Sequence, residues 1–195
     1  MRNTFPPIIL ASKSPRRQEL LQLMDIDFRV VVKDVDESYP SGLTPAEIAV
    51  YIAEKKAKAF DESLQENELV LTADTIVSAE GRILGKPGND EHAMEMLGLL
   101  SGKKHEVITG VAFLQNHKLH SFYDSTEVHF RALSASEIEY YIKSCQPFDK
   151  AGSYGIQEWI GLTAVDKIVG SYSNVVGLPT QKVYSELLSF TQLKP

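Results

Sequence analysis

Two adjacent arginines, Arg16 and Arg17, directly follow a polar Ser-Lys-Ser-Pro turn near the start of the chain. A helix beginning at Pro15 would place both in its first turn, where backbone N–H groups and the helix dipole attract an anion. The positive end of an isolated helix dipole repels arginine. The presence of two arginines there therefore needs an explanation other than helix stability. A polyphosphate supplies one, because guanidinium groups bind phosphate through paired hydrogen bonds. The alternative is a solvated helix start with surface arginines, and this segment alone does not decide between the two.

A single carboxylate, Asp74, interrupts the apolar run LVLTADTIV at residues 69–77. Carboxylates are rarely buried unless they are paired or bind a metal. A strand also holds a side chain rigidly, which suits a general base. The alternative is an Asp hydrogen-bonded at a strand bend. The pattern favours a functional carboxylate.

Two glycine-containing turns are weaker candidates. Lys86 lies in a Gly-Lys-Pro-Gly turn that is not a Walker A loop, because Pro87 stands where Ser or Thr must bind magnesium. Gln157 ends the stretch DKAGSYGIQ and can present both a donor and an acceptor to a base edge. On their residues alone, a solvated turn and a glycine-rich connector explain these segments.

Lysines near an acidic pair suggest a phosphate or metal site. Lys55, Lys56 and Lys58 fall on one predicted helix, either as a solvated face or with one of them beside Asp36–Glu37. The five histidines show no zinc spacing, and Cys145 has no partner cysteine. We therefore expect any metal to be held by carboxylates and phosphate oxygens, as magnesium or manganese is. The chain also lacks the Gly-x-Ser-x-Gly elbow of serine-triad hydrolases.

Predicted strands and helices alternate along the chain. The predicted strands are 7–11, 28–35, 69–79, 82–84, 105–114, 118–130 and 163–169. The predicted helices are 15–24, 44–63, 90–100, 134–144 and 179–190. Ser14 is placed to cap the first helix, and Thr44 and Glu47 match a capping box at the second. The alternation, with hairpins in the middle, predicts an α/β fold with a mixed sheet.

The composition limits the classes of protein that fit. The 195 residues, 43% of them apolar, suit one domain, or one domain folded as two lobes. A net charge of −6 argues against binding nucleic acid through the whole surface. No apolar stretch approaches the ~20 residues that a membrane-spanning helix needs, and the start has no signal-like core. We expect a cytoplasmic protein that binds neither nucleic acid nor membranes.

Together these segments resemble the Maf family of nucleotide pyrophosphatases, in order over nearly the whole chain. The matching stretches are LASKSPRRQELL at 10–21, VDES at 35–38, EKKAKA at 54–59, ADTIV at 73–77, LGKP at 84–87, LSGKKHEVITGV at 100–111, FYDSTEV at 122–128, DKAGSYGIQ at 149–157 and VVGLP at 175–179. The chain departs from the family pattern at Glu158–Trp159, where a glycine and then a small or basic residue are expected.

The resemblance implies a fold, a reaction and a homodimer. The fold would resemble the inosine-triphosphate pyrophosphatases, with an elongated mixed sheet flanked by helices and a central cleft between two lobes. The reaction would be metal-dependent water attack at the α-phosphorus of a nucleoside triphosphate, with dTTP and UTP preferred, giving the monophosphate and pyrophosphate.

The resemblance also assigns roles to single positions. Asp74 matches the proposed general base, and Glu37 matches an acidic position near the metal, which Asp74 would also contact. The polar and phosphate-binding positions are Ser12, Arg17, Lys56 and Lys86. The positions that mark the dTTP/UTP branch are Arg16, Thr75 and Gln157.

Two other functions remain open from the sequence. One is a pyrophosphatase for another or modified nucleotide, such as 7-methyl-GTP. The other is a nucleotide-binding regulator of septum formation in cell division with little catalysis. The presence of both Asp74 and the basic residues favours an enzyme, since a binding protein needs no base.

Overall fold

The computed structural model describes residues 5–192. They form seven strands and seven α-helices: β1 Ile8–Leu10, α1 Pro15–Leu23, β2 Phe28–Val30, α2 Pro45–Lys58, β3 Leu69–Ala79, β4 Arg82–Leu84, α3 Asp90–Leu100, β5 Lys104–Gln115, β6 Lys118–Phe130, α4 Ala135–Cys145, α5 Trp159–Ala164, β7 Val165–Val169, α6 Tyr172–Val176 and α7 Thr180–Thr191. Short 3-10 helices lie at Asp61–Ser63, Pro147–Asp149 and Ala151–Ser153. None of the described helices is long and apolar enough to span a bilayer.

The strands form one sheet in the order β2-β1-β3-β5-β6-β7, with β4 paired to β3. Strand β1 runs parallel to β2 and to β3, with Ile8 opposite Phe28 and Leu69. The β3–β4 and β6–β7 pairs are antiparallel. The predicted α/β class with a mixed sheet is therefore confirmed.

The chain divides into two compact units. Among the described residues, the first unit comprises 5–74, Thr109–Asp124 and 177–192. Its core is formed by side chains such as Leu10, Leu71, Phe113 and Leu187. A smaller apolar cluster in the same unit includes Ile9 and Ala53.

The second unit comprises Thr75–Ile108 and Ser125–Val176. Its core includes Leu97, Val128, Tyr141 and Ile160. The boundary between the units falls within β3, directly after Asp74.

Several predicted elements have different bounds in the structure. Strand β2 ends at Val30 instead of residue 35, because its parallel partner β1 is only three residues long. Helix α2 ends at Lys58 rather than residue 63. The predicted strand 163–169 begins only at Val165, because the preceding residues belong to α5.

Two short helices, α5 and α6, were not predicted. They have six and five residues, too few for a periodic apolar pattern to show. Helix α5 depends instead on packing, since its residues Ile160 and Ala164 are buried in the second core.

Candidate active site

The turn after β1 holds an arginine against a buried serine. Ser12 is 7% exposed, and its Oγ accepts hydrogen bonds from Arg17 Nη1 at 3.2 Å and from the Ser14 N–H at 3.2 Å. Arg17 Nε also donates to the Gly177 carbonyl at 2.8 Å. These contacts fix the guanidinium in the first unit at the start of α1.

The predicted cap at Ser14 is wrong. Helix α1 begins at Pro15 as expected, but the Ser14 side chain accepts no hydrogen bond from the first turn. The serine that organises this turn is Ser12, which receives the Ser14 N–H. The first turn of α1 therefore has no side-chain cap of the kind that usually occupies a helix start.

A lysine shared by two carboxylates lies in the same unit. Lys56 on α2 places its Nζ 2.6 Å from Asp74 Oδ1 and 2.8 Å from Glu37 Oε1. The side chains of Asp74 and Lys56 are only 14% and 18% exposed, whereas that of Glu37 is 51% exposed. The structure thus brings the predicted base, the predicted metal-site carboxylate and a predicted phosphate ligand into direct contact.

The other two lysines of α2 have different partners. Lys55 Nζ contacts Asp36 at 3.1 Å, and Lys58 Nζ contacts Glu54 at 3.0 Å. Both pairs are at least partly solvated, as expected for a charged helix face. Of the three candidates, Lys56 is the one that the structure places at Asp74.

Electrostatics connect the arginines to this lysine–carboxylate group. Burial lowers the pKa of Arg17, and the nearby Asp74 carboxylate acts in the opposite direction. Arg16 lowers the same pKa further and Glu37 raises it, so all three charged groups lie within electrostatic reach of Arg17. We call Ser12, Arg16, Arg17, Glu37, Lys56 and Asp74 the first-unit cluster.

The carboxylates of this cluster fit part of a magnesium or manganese site. Glu37 and Asp74 already converge on one cation, the Lys56 ammonium. Carboxylate oxygens are the ligands such metals prefer, and magnesium is commonly held by one or two carboxylates plus substrate phosphates. Within residues 5–192, no group of three or more His, Cys, Asp or Glu side chains is arranged to hold a metal. Any such cation would therefore be held by Glu37 and Asp74 together with ligands that the substrate supplies.

The remaining predicted residues belong to the second unit. Thr75 follows Asp74 on β3 and is half-buried, whereas Lys86 and Gln157 are exposed, Lys86 in the segment after β4 and Gln157 in the turn before α5. The segments that carry Lys86 and Gln157 are joined by a hydrogen bond from the Gly152 N–H to the Gly85 carbonyl at 3.1 Å. Gly152 has a φ of 68°, and a Cβ there would lie 2.9 Å from the Val77 side chain, which explains the glycine.

Three further side chains hold the Gln157 segment, and residue patterns did not identify them as a group. Lys150 Nζ lies 3.0 Å from Glu158 Oε1, and the Tyr141 hydroxyl donates to Glu158 Oε2. Glu158 was noticeable only as a departure from the family pattern. Its carboxylate turns toward Lys150 and Tyr141, a contact that no local spacing indicates.

Comparison with known proteins identifies the family. A family model described as Maf-like protein matches residues 7–190. The chain belongs to the Maf family. A Flavobacterium psychrophilum protein named dTTP/UTP pyrophosphatase is 52% identical over 184 residues, which cover 94% of each chain. A Bacteroides thetaiotaomicron protein of the same name is 51% identical over 181 residues, covering 92% of this chain and 94% of that one.

A solved structure supports the fold alone. The HAM1 protein from Coxiella burnetii matches 95% of this Maf chain and 100% of its own with a TM-score of 0.50. The sequence identity is 17%. The Maf chain therefore shares its α/β architecture with that protein.

Proposed function

We propose that this Maf protein hydrolyses dTTP and UTP to the nucleoside monophosphate and pyrophosphate. The observation that carries the proposal is the contact of Lys56 with both Asp74 and Glu37, at 2.6 and 2.8 Å, in a unit that also holds Arg16 and Arg17. The cluster therefore holds cationic side chains that can bind a triphosphate. It also holds a carboxylate on strand β3 that can accept a proton from water. The relatives named dTTP/UTP pyrophosphatase supply the substrate class.

In this proposal Asp74 is the general base. A water oxygen attacks the α-phosphorus, the new P–O bond forms, and the bond from the α-phosphorus to the bridging oxygen breaks. Pyrophosphate leaves with that oxygen, and the proton lost from water goes to the Asp74 carboxylate. Strand β3 holds Asp74 rigidly, which suits proton abstraction from a positioned water.

Cationic side chains stabilise the charge on the triphosphate. Arg17 is oriented by Ser12 and Gly177, and Lys56 by the two carboxylates, so neither side chain has to be ordered when substrate binds. Preorganised donors of this kind are the largest source of transition-state stabilisation in many enzymes. We assign Ser12, Arg17, Lys56 and Lys86 to the phosphates, and Arg16, Thr75 and Gln157 to the base.

We also propose a dependence on magnesium or manganese, held by Glu37 and Asp74 together with phosphate oxygens. Such a cation neutralises phosphate charge, and two protein carboxylates are a usual complement for it. From the resemblance alone we propose, further, a cytoplasmic homodimer. Light scattering that gives the mass of one chain would contradict the dimer.

Pyrophosphate release from a panel of nucleotides tests the function. dTTP, UTP, CTP, GTP and 7-methyl-GTP are incubated with the purified protein, with magnesium, with manganese or with excess chelator. We expect pyrophosphate from dTTP and UTP with either metal, and at least about a hundredfold less from Asp74→Asn. Orthophosphate as the first product contradicts the reaction, and preference for 7-methyl-GTP contradicts the substrate. Activity that persists in chelator contradicts the metal, and binding without turnover indicates a regulator.

A further inference from the structure

A largely buried ion pair between Lys150 and Glu158 joins the segment that ends in Gln157 to the residue that follows it. The Lys150 side chain is 8% exposed, and its Nζ contacts Asp149 Oδ1 at 2.7 Å and Glu158 Oε1 at 3.0 Å. The ammonium is thus engaged by two carboxylates and shielded from solvent.

Tyr141 connects the same carboxylate to the backbone of the segment. Its side chain is fully buried, its hydroxyl donates to Glu158 Oε2, and the hydroxyl oxygen accepts the Gly155 N–H at 3.0 Å. Burial and the bond to Glu158 raise the pKa of Tyr141, which keeps the hydroxyl protonated as a donor. We call Lys150, Glu158, Tyr141 and Gly155 the clamp.

The backbone at Gly155 is fitted closely to the Glu158 carboxylate. A Cβ at Gly155 would lie 2.8 Å from Glu158 Cδ and within 3.1 Å of both carboxylate oxygens. The Glu158 N–H also donates to the Gly155 carbonyl at 3.0 Å. Residues 155 and 158 therefore fix each other, and no side chain larger than hydrogen fits at 155 while the carboxylate stays in place.

The residues that flank Gln157 are also fixed by α5. A Cβ at Gly161 would lie 1.7 Å from the Ile156 carbonyl oxygen, so the helix backbone packs directly on residue 156. Gln157 itself is exposed. Its backbone is bounded by clamp residues on both sides, and its side chain is left available for a ligand.

We propose that Lys150, Glu158 and Tyr141 are positioning residues that hold Gln157 in the orientation that selects the base. This inference rests on the proposed function of Gln157. A buried ion pair contributes little net stability compared with apolar packing, so its value here lies in fixing one conformation. The ligand that this geometry serves is a pyrimidine edge with a carbonyl beside an N–H, which thymine and uracil present and cytosine does not.

The first test removes one oxygen from the clamp. Tyr141→Phe keeps the buried ring and deletes the hydroxyl that joins Glu158 to Gly155. Tyr140→Phe is the matched control, since Tyr140 is the next residue on α4 and is 55% exposed. We expect Tyr141→Phe to raise KM for dTTP and UTP about fivefold and to lower the preference over CTP by about the same factor, as loss of one buried hydrogen bond implies. We expect kcat to stay within about twofold, and Tyr140→Phe to match the wild type.

The second test asks whether the effect acts through Gln157. In a Gln157→Ala background, Tyr141→Phe should not change the ranking of dTTP against CTP any further. The inference would be overturned if the two changes lowered the preference for dTTP over CTP additively. It would also be overturned if Tyr141→Phe lowered kcat and left that preference unchanged. Should Tyr141→Phe fail to fold, Glu158→Gln keeps the side-chain size while removing the ion pair, and the same non-additivity is expected.

The controls separate this inference from the function on which it rests. A wild-type protein that releases no pyrophosphate contradicts the proposed function. Loss of selectivity in Gln157→Ala but not in Tyr141→Phe or Glu158→Gln contradicts the clamp alone. If Gln157→Ala leaves the ranking of the nucleotides unchanged, Gln157 does not select the base, and the clamp cannot act through it.

Discussion

At the scale of single residues, the site depends on Lys56. One ammonium contacts both Asp74 and Glu37, and two carboxylates so close together repel each other without it. In the proposed function, a triphosphate brings negative charge to the same ammonium. Lys56 would then neutralise the carboxylates before the substrate binds and the phosphates once it is bound. In the proposed function, this shared use lets a protein of net charge −6 bind a polyanion.

The proposed base is tested by Asp74→Asn. The amide has nearly the same shape but accepts no proton, and loss of a general base typically lowers the rate about a hundred- to ten-thousand-fold. We expect kcat to fall by such a factor while calorimetry shows largely retained binding of a non-hydrolysable dTTP analogue. Loss of the response to added metal as well would place Asp74 at the cation. A rate within about threefold of wild type would remove Asp74 from both roles.

Base selection and phosphate binding should separate in two second-unit variants. Gln157→Ala removes the side chain that is proposed to pair with the base edge. For nucleotides that present the matching edge, binding should weaken by on the order of 1–3 kcal/mol. We expect the substitution to lower kcat/KM for dTTP and UTP more than for CTP and GTP. Lys86→Ala removes a charge that every triphosphate meets, so it should lower all four in proportion. A changed ranking in Lys86→Ala, or a proportional loss in Gln157→Ala, would contradict this division.

At the scale of elements, helix α2 and strand β5 are in unusually close contact. A Cβ at Gly110 would lie 2.3 Å from the Ala49 carbonyl carbon and 2.5 Å from the Val50 nitrogen. These are backbone atoms in a helix and cannot turn away as a flexible side chain can. The contact sets how closely α2 packs on the sheet, and α2 carries Lys56.

Gly110→Ala should therefore destabilise the first unit and disturb the position of Lys56. We expect the free energy of unfolding to fall by about 3 kcal/mol or more, at the upper end of overpacking effects. Gly98→Ala is the control, because Gly98 lies within α3 and a Cβ there meets nothing within 4 Å. That change should raise stability by about 0.5–1 kcal/mol through helix propensity. Urea unfolding measures both, and similar values for the two variants would contradict the packing argument.

At the scale of the whole molecule, each unit has its own core, and the second contains a buried histidine. His105 is 3% exposed, its Nε2 is 2.7 Å from the Tyr154 hydroxyl, and its ring meets Phe130 edge-on with centroids 5.0 Å apart. Burial, with a smaller contribution from His129, lowers the pKa of His105 to about 4. The folded protein therefore keeps this imidazole neutral at pH values where the unfolded chain protonates it.

This difference predicts a loss of stability on acidification. Between the ordinary pKa of 6.5 and the folded value of about 4, the unfolded chain binds a proton that the folded protein does not. Stability should thus fall as pH drops through this range, by about 2 kcal/mol at pH 5. His105→Gln should remove that part of the decrease between pH 7.5 and pH 5, measured by urea unfolding. His117→Gln, at a side chain that is 80% exposed, should not. An equal decrease in the free energy of unfolding of the wild type, His105→Gln and His117→Gln would contradict this role of His105.

Local chemistry was enough to predict most of the elements. The Thr44–Glu47 capping box starts α2 as expected, with Glu47 Oε2 accepting the Thr44 N–H at 2.8 Å. The bounds of β3, β4 and α3 were also predicted correctly. These features depend on side chains within a few residues of one another, so adjacent residue types determine them. The sequence by itself also determined membership of the Maf family, through motifs in order along the chain.

Only the tertiary structure decided which residues meet. Lys55, Lys56 and Lys58 are chemically alike in sequence, and Lys56 reaches Asp74 because of how α2 packs beside β3. Ser12, not Ser14, organises the turn after β1, and its partner Arg17 also donates to the Gly177 carbonyl 160 positions away. The clamp likewise joins Tyr141 on α4 to Glu158 at the start of α5. Contacts of this kind depend on the direction in which packed elements point their side chains, and neither spacing nor residue type determines that direction.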